Sequence, residues 1–370
     1  MNGLEKFSPG LDGVVATETS ISYLDTIQEE IVIRGYDLIE LSKSYSYVDV
    51  IHLLLEGRLP DEEEKKILEA SMIQRYELPA AVLEVLKLLP EQTHAMDGLR
   101  TGISVLGGYD HAIDDRSLLV NKERAYQLLG QVPSIVANSY RILTKKEPIH
   151  PDKALPFSAN FFYMVTGKKP SPIEEKIFDL SLLLYSEHEM PNSTFTARVI
   201  ASTQSDLYGA LTGAVASLKG NLHGGANEAV MHLLLEAGTI SKFEELLQTK
   251  LSNKEKIMGF GHRVYMKKMD PRATMMKGAL QQLCQVRGDD LLYRMCEAGE
   301  RIMEREKGLY PNLDYYVAPV YRMLGIPIPL YTPIFFAART VGICAHVLEQ
   351  HAQNRLFRPR VKYVGERHVL

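Results

Sequence analysis

Histidines, one aspartate and a few arginines stand out as the groups in this chain that could do chemistry. His223 sits in Asn221-Leu222-His223-Gly224-Gly225-Ala226-Asn227-Glu228, and His262 in Gly259-Phe260-Gly261-His262-Arg263-Val264-Tyr265. His188 follows a helical stripe and precedes Pro191-Asn192-Ser193-Thr194. A histidine beside glycines at an element boundary is held where backbone can approach a ligand closely. Each taken singly could equally be a satisfied structural histidine; three such settings in one chain favour function. Arg272 follows Asp270-Pro271 and the Lys267-Lys268 pair, Arg339 ends Phe335-Phe336-Ala337-Ala338, and Arg358 and Arg360 bracket Pro359. Guanidinium forks suit carboxylates and phosphates, although each arginine also reads as a surface or salt-bridge residue. Asp314 lies among aromatics in Tyr310-Pro311-Asn312-Leu313-Asp314-Tyr315-Tyr316. Partial burial there would raise its pKa and make it a base near neutral pH; the alternative is a helix N-cap.

Several chemistries have no signature. There is no H-E-x-x-H and no histidine pair at i, i+4, so no metal site is expected. No G-x-x-x-x-G-K-[ST], no strand-linked G-x-G-x-x-G and no G-x-S-x-G elbow occurs. A base, histidine donors and arginines suit proton abstraction beside a carbonyl, with an anionic partner held by guanidinium.

The elements that must position these groups read as mainly helical. Val14–Thr17, Ser20–Leu24 and Ile31–Ile33 are expected as strands, with a turn at Gly35 and Asp37. Thereafter Ser46 is expected to cap a helix carrying Tyr47, Val50, Ile51 and Leu54, with Gly57 just past its end. Ser171-Pro172 opens another, with Ile173, Ile177, Leu180 and Leu184 on one face, and its end points at Ser186-Glu187-His188-Glu189. Thr194–Lys219 carries small residues at helical spacing, suited to a tight core helix or to a dimer interface. The breaks at Gly220–Gly225 and Gly325–Pro329 divide the chain. Residues 1–224 and 325–370 are expected to form a large helical domain, and residues 225–324 an inserted smaller one.

The whole-chain numbers agree. With 370 residues, 45% hydrophobic and 24% charged, the chain has an ordinary globular composition and length enough for two domains. A net charge of −4 argues against nucleic acid as the partner. Ile326–Ala338, the most apolar stretch, is short and interrupted by Pro327, Pro329 and Pro333, so no membrane span is expected. Cys284, Cys296 and Cys344 form no disulfide framework; with no secretory signal visible at the N-terminus, a cytoplasmic location is expected.

NLHGGANE, GFGHRVY with DPR, YPNLDYY, FFAAR and LFRPR occur in the order in which the citrate synthase family carries them. The resemblance runs from SPGLDGVVATETSISYLD to RPRVKYVG. HAMDGLRTG and SEHEMPNST most resemble its short Gram-positive form, the Bacillus-type 2-methylcitrate synthases that also accept acetyl-CoA. The resemblance implies a two-domain helical homodimer that condenses propionyl-CoA or acetyl-CoA with oxaloacetate; a dedicated citrate synthase is the alternative. His223 would bond the thioester carbonyl, Asp314 take the α-proton, and His262 polarise the oxaloacetate ketone. Arg272 and Arg339 would bind oxaloacetate carboxylates beside His188, and Arg358 would reach the partner's site. Ile257, Met258, Gly259, Phe260 and Gly261 would lie along the CoA, with Lys267 or Lys268 near its phosphates. No bound cofactor is implied, since the CoA thioester is a substrate. Arg263–Met269 make a longer loop before Asp270 than some members have, which loosens the lysine assignment. No long extension precedes SPGLDG, so the NADH inhibition of longer, hexameric members is not expected. Oxaloacetate is expected to bind first and drive domain closure about the two glycine-containing breaks.

Overall fold

The computed structural model describes residues 7–25, 28, 30–261 and 268–366. After a 3-10 turn, three short strands form an antiparallel sheet in the order β1 (Ser22–Asp25), β2 (Glu30–Ile33), β3 (Tyr36–Asp37). Ser22 pairs with Ile33 and Leu24 with Ile31, so these four share the buried face while Tyr23 points to solvent. Gly35, at φ +87°, makes the turn into β3. Val14–Thr17 is not a strand: Val15 is 88% exposed, and among the described residues no segment pairs with it. β-Branched residues favour extended backbone, but a strand needs a neighbour to satisfy its ladder.

Sixteen α-helices follow among the described residues. They begin with α1 (Leu38–Ser44), α2 (Tyr47–Glu56), α3 (Glu62–Gln74), α4 (Ala80–Lys87), α5 (Ala95–Gly107) and α6 (Leu118–Leu143). Next come α7 (Phe157–Thr166), α8 (Pro172–Tyr185), α9 (Asn192–Ala201), α10 (Leu207–Lys219) and α11 (Ala226–Ala237). The last are α12 (Ile240–Ser252), α13 (Pro271–Arg287), α14 (Leu291–Lys307), α15 (Leu313–Met323) and α16 (Tyr331–Ala352). The expected punctuation holds. Ser46 and Asp49 form a capping box at α2, Gly57 ends it at φ +82°, and Ser171 with Glu174 caps α8 behind Pro172.

Helix α16 is the axis of the larger group of helices. It packs on α2, α6, α8, α9 and α10, and is buried on nearly all sides from Ile334 to Val347, with Arg339 and His346 as the basic groups it carries inward. By length and composition Ile328–Ala352 could cross a membrane, and 83% of its most apolar window is buried inside the protein. The apolar run is longer than the sequence pattern marked. Pro327 and Pro329 precede α16 and Pro333 sits in its first turn, where proline costs no hydrogen bond. Thr194–Lys219 forms two helices instead of one, because Asp206 caps a fresh start by accepting from Gly209 N–H at 2.7 Å. Their small residues let α9 and α10 touch: a Cβ on Gly213 would lie 2.2 Å from Ile200 Cδ1. Helices α11 to α15 pack chiefly on one another.

Candidate active site

A cavity of about 300 Å³ opens where helix ends converge. Helix α8 brings its C-terminal Tyr185, and α9, α11, α13 and α15 bring their N-termini. Those four N-terminal ends carry partial positive charge, a setting for anions. Lining the cavity are His188, His223, Arg272, Asp314 and Arg339, together with Ile257, Met258, Gly259, Phe260 and Gly261. The sequence placed all of these in the site, across some 150 residues of chain.

Asp314 is not the cap of α15. Asn312 takes that role, its side chain accepting from Asp314 N–H at 3.1 Å. The Asp314 carboxyl is therefore available to the cavity, where its Oδ1 accepts from Tyr185 Oη–H at 2.5 Å. Burial raises its pKa, opposed by the Tyr185 hydroxyl and by the charges of Arg272 and Arg339. Asn227 Nδ2 reaches the Tyr185 hydroxyl at 3.4 Å, and the Tyr185 ring packs on Phe335 at 4.5 Å.

His223 sits in a tight turn before α11. Its N–H donates to Gly220 O, and a Cβ on Gly224 would lie 2.1 Å from Leu218 O. Gly225 then enters α11 at φ +81°, so both glycines are required by geometry. The backbone N–H of Ser193, at the start of α9, donates to His223 Nε2 at 3.1 Å. An N–H can only donate, so Nε2 carries the lone pair and the proton of the neutral ring is on Nδ1. Burial and the Arg339 charge push the His223 pKa down to about 4, which keeps that neutral form at physiological pH.

The two cavity arginines are held differently. Arg272 makes a fork to Asp270, Nε to Oδ1 at 3.1 Å and Nη2 to Oδ2 at 2.8 Å, and both residues are buried. Arg339, in the middle of α16, donates from Nε to Tyr185 O at 2.5 Å and lies 4.9 Å over the Phe335 ring. Its two terminal nitrogens have no protein partner among the described residues. Burial lowers its pKa to about 10, so it stays cationic, and Arg272 is close enough to repel it. Two neighbouring cations in one cavity suit a dianion.

Residues 257–261 are stitched to the approach to α15. Phe260 bridges Pro311, Gly261 N–H donates to Tyr310 O, and Asn312 N–H donates to Gly259 O, the last two at 2.9 Å. Gly259 and Gly261 both have positive φ, 89° and 74°.

Two of the expected residues, His262 and Lys267, lie outside the described residues. Lys268 is exposed and does not line the cavity; the lysine that does is Lys256. Arg358 is exposed on a tail without helix or strand, and its own chain does not bring it to the cavity. That tail is tied to α9 through Phe357, whose ring meets Phe195 at 5.6 Å. Sequence reasoning missed Tyr185, Lys256, Asn312 and Phe335. Tyr185 ends the helix that points at His188, and Phe335 stands one helical turn before Arg339, so spacing alone could have found both. Among the described residues no three His, Cys, Asp or Glu are grouped to hold a metal.

The family profile described as "Citrate synthase, C-terminal domain" matches residues 10–360. The chain is 73% identical over 368 residues to the "Citrate/2-methylcitrate synthase" of Bacillus subtilis (strain 168), covering 100% of this chain and 99% of the relative. It is 66% identical over 369 residues to the "Citrate synthase" of Heyndrickxia coagulans, again over 100% and 99%. Among solved structures, it superposes with TM-score 0.92 and 30% identity on a citrate synthase from Thermoplasma acidophilum, over 99% of this chain and 98% of that one. That structure is a ternary complex with carboxymethyl coenzyme A and oxaloacetate.

Proposed function

The chain belongs to the citrate synthase family, and from that premise we propose how the cavity residues divide its reaction. The enzyme condenses acetyl-CoA or propionyl-CoA with oxaloacetate and water, giving citrate or 2-methylcitrate and free CoA. The observation that carries the assignment is one cavity lined by a half-buried carboxylate, a neutral histidine donor and two neighbouring guanidinium groups.

Asp314 removes the α-proton of the thioester. Its raised pKa makes it a better base than an exposed carboxylate, and Tyr185 keeps it oriented. Charge then develops on the thioester oxygen, where His223 Nδ1–H donates. The backbone N–H at Nε2 fixes that tautomer, so the donor is in place before the charge forms. The enolate carbon attacks the ketone of oxaloacetate, which His262, next in the chain after cavity-lining Gly261, polarises and protonates. Arg272 and Arg339 hold the two carboxylates beside His188. Water then cleaves the condensed thioester and releases the CoA thiol. Residues 257–261 lie along the CoA, and Lys256 at the cavity edge is a further candidate for its phosphates alongside Lys267 and Lys268. No cofactor beyond CoA is needed, because base, donors and carboxylate clamp all come from side chains.

Helices α11 to α15 form the smaller domain, residues 225–324, which closes on residues 1–224 and 325–370. Gly225 and Gly325, both at positive φ, sit at the hinges. Oxaloacetate binds first and drives closure, so acyl-CoA affinity measured with and without it should differ; equal affinities would sink this order. The enzyme acts as a homodimer in which Arg358 completes the partner's site. Val14, Val15, Leu118, Leu119, Val361 and Val364 are apolar side chains left exposed by the single chain. A monomer in sedimentation at assay concentration would overturn it. Three buried, unpaired cysteines accord with a reducing cytoplasm.

The test is thiol release with oxaloacetate plus either acyl-CoA, for the parent and for Asp314→Asn. The amide keeps an oxygen for Tyr185 but cannot take a proton, so the rate should fall by roughly 10²–10⁴. A rate within threefold of the parent would refute the assigned base. The ratio of kcat/KM for the two thioesters reads the acyl preference, for which one methylene supplies roughly 10–200-fold.

A further inference from the structure

Glu187, which precedes His188, has no part in the chemistry above, yet it is fully buried with His346. Its Oε1 accepts from Ser22 Oγ at 2.8 Å and from His346 Nε2 at 3.1 Å. Arg198 Nη1 lies 2.9 Å from His346 Nδ1 and can only donate, so the imidazole proton is on Nε2, aimed at Glu187. Arg198 is itself held by Glu349 and Gln350 of α16. The other carboxylate oxygen, Oε2, is buried with no hydrogen-bond partner among the described residues. It packs on bare backbone of α16: a Cβ on Gly342 would lie 2.0 Å from it. Gly342 stands three residues beyond Arg339. Ser22 does a second job, since its Oγ also accepts from Glu189 N–H at 3.2 Å, and Glu189 is in the left-handed region at φ +58°. The residues on both sides of His188 are thus tied to one hydroxyl on β1, and one of them also to α16. A buried carboxylate with an orphan oxygen is a poor way to stabilise a fold and calls for an explanation in function.

We propose that Glu187 is a positioning residue for oxaloacetate. Clamped between Ser22 and His346, it fixes the backbone turn that presents His188 to the cavity. Burial works against its ionisation, but His346, Arg339 and the Ser22 hydroxyl outweigh it and hold the carboxyl below the usual range. The inference rests on the reading of His188 as an oxaloacetate contact.

Two variants keep the charge and loosen the clamp: Ser22→Ala removes the shared hydroxyl, and Glu187→Asp shortens the reach to His346. Each should raise the KM for oxaloacetate by about fivefold or more, with the KM for acyl-CoA at saturating oxaloacetate within about twofold. The double variant should raise it less than the product of the two, because both act on one clamp. His188→Gln separates the two possible failures. If it leaves oxaloacetate KM unchanged, the reading of the site is wrong. If it weakens oxaloacetate while Ser22→Ala and Glu187→Asp do not, the positioning role is refuted. Should Glu187→Asp fail to fold, Ser22→Ala decides alone, since it removes a single oxygen atom and leaves the carboxylate in place.

Discussion

A single methyl group at position 259 tests whether the backbone beside the cavity is as tightly determined as its geometry implies. Gly259 has φ +89°, and an added Cβ would lie 2.6 Å from Val230 Cγ2 and 2.9 Å from Tyr315 Cδ2. Neither neighbour can yield easily. The Tyr315 hydroxyl donates to Cys296 O at 2.9 Å, and its ring is pinned against Phe260 at 4.4 Å and Tyr316 at 5.2 Å. For Gly259→Ala the left-handed backbone costs about 1–2 kcal/mol. Overpacking adds about 1–3 kcal/mol, for a total of roughly 2–5 kcal/mol. With an unfolding entropy of about 2.1 cal/mol/K per residue, that total lowers Tm by roughly 3–6 °C for a chain of this length. The strain also reaches the chemistry. Gly259 O accepts from the N–H of Asn312, which caps α15 two residues before Asp314. A displaced base should lower kcat/KM for the thioester by roughly 10–100-fold. Differential scanning fluorimetry and thiol release read both numbers. Gly278→Ala is the control, because nothing lies within 4 Å of a Cβ there and α13 should tolerate it. If Gly259→Ala melts within about 1 °C of the parent and keeps kcat/KM within twofold, the position has room that the geometry denies, and the reasoning fails.

Two further outcomes follow from titratable groups. In Tyr185→Phe, Asp314 loses the donor that holds its pKa down, so the acid limb of the kcat/KM profile should move to higher pH; a limb that stays or moves down would contradict the assignment. Asp179 accepts from Ser158 Oγ–H and Tyr47 N–H, yet burial raises its pKa to about 6. An acid whose folded pKa lies above its unfolded value of 3.8 contributes stability that is fully present below 3.8 and lost as pH rises through about 6. Asp179→Asn stays neutral and keeps an acceptor oxygen. It should exceed the parent in stability at pH 8 by at most about 3 kcal/mol, with the gain fading below pH 6. Denaturant titrations at pH 5 and 8 showing the same difference would refute this.

The sequence by itself determined the helical class, the capping of α2 and α8, and many of the residues that line the cavity. His223, Arg272 and Asp314 were legible because each sits beside glycine, proline or aromatics at an element boundary, and Arg339 because a lone charge follows an apolar run; such marks are local. What only the tertiary structure decided are the partners that give those groups their properties. The hydroxyl on Asp314 comes from Tyr185, 129 residues away, and the N–H that sets the His223 tautomer from Ser193, 30 residues away. Glu187 meets His346 across 159 residues. No periodicity carries such pairings, since they arise when helix ends converge on one cavity. Position 314 shows the division most sharply. The sequence left it as either base or cap, and the choice fell to Asn312, whose amide caps the helix and leaves the carboxylate to the cavity. The mispredicted strand at Val14–Thr17 failed for the same reason, because extended propensity is local but a pairing edge must be supplied by the rest of the chain.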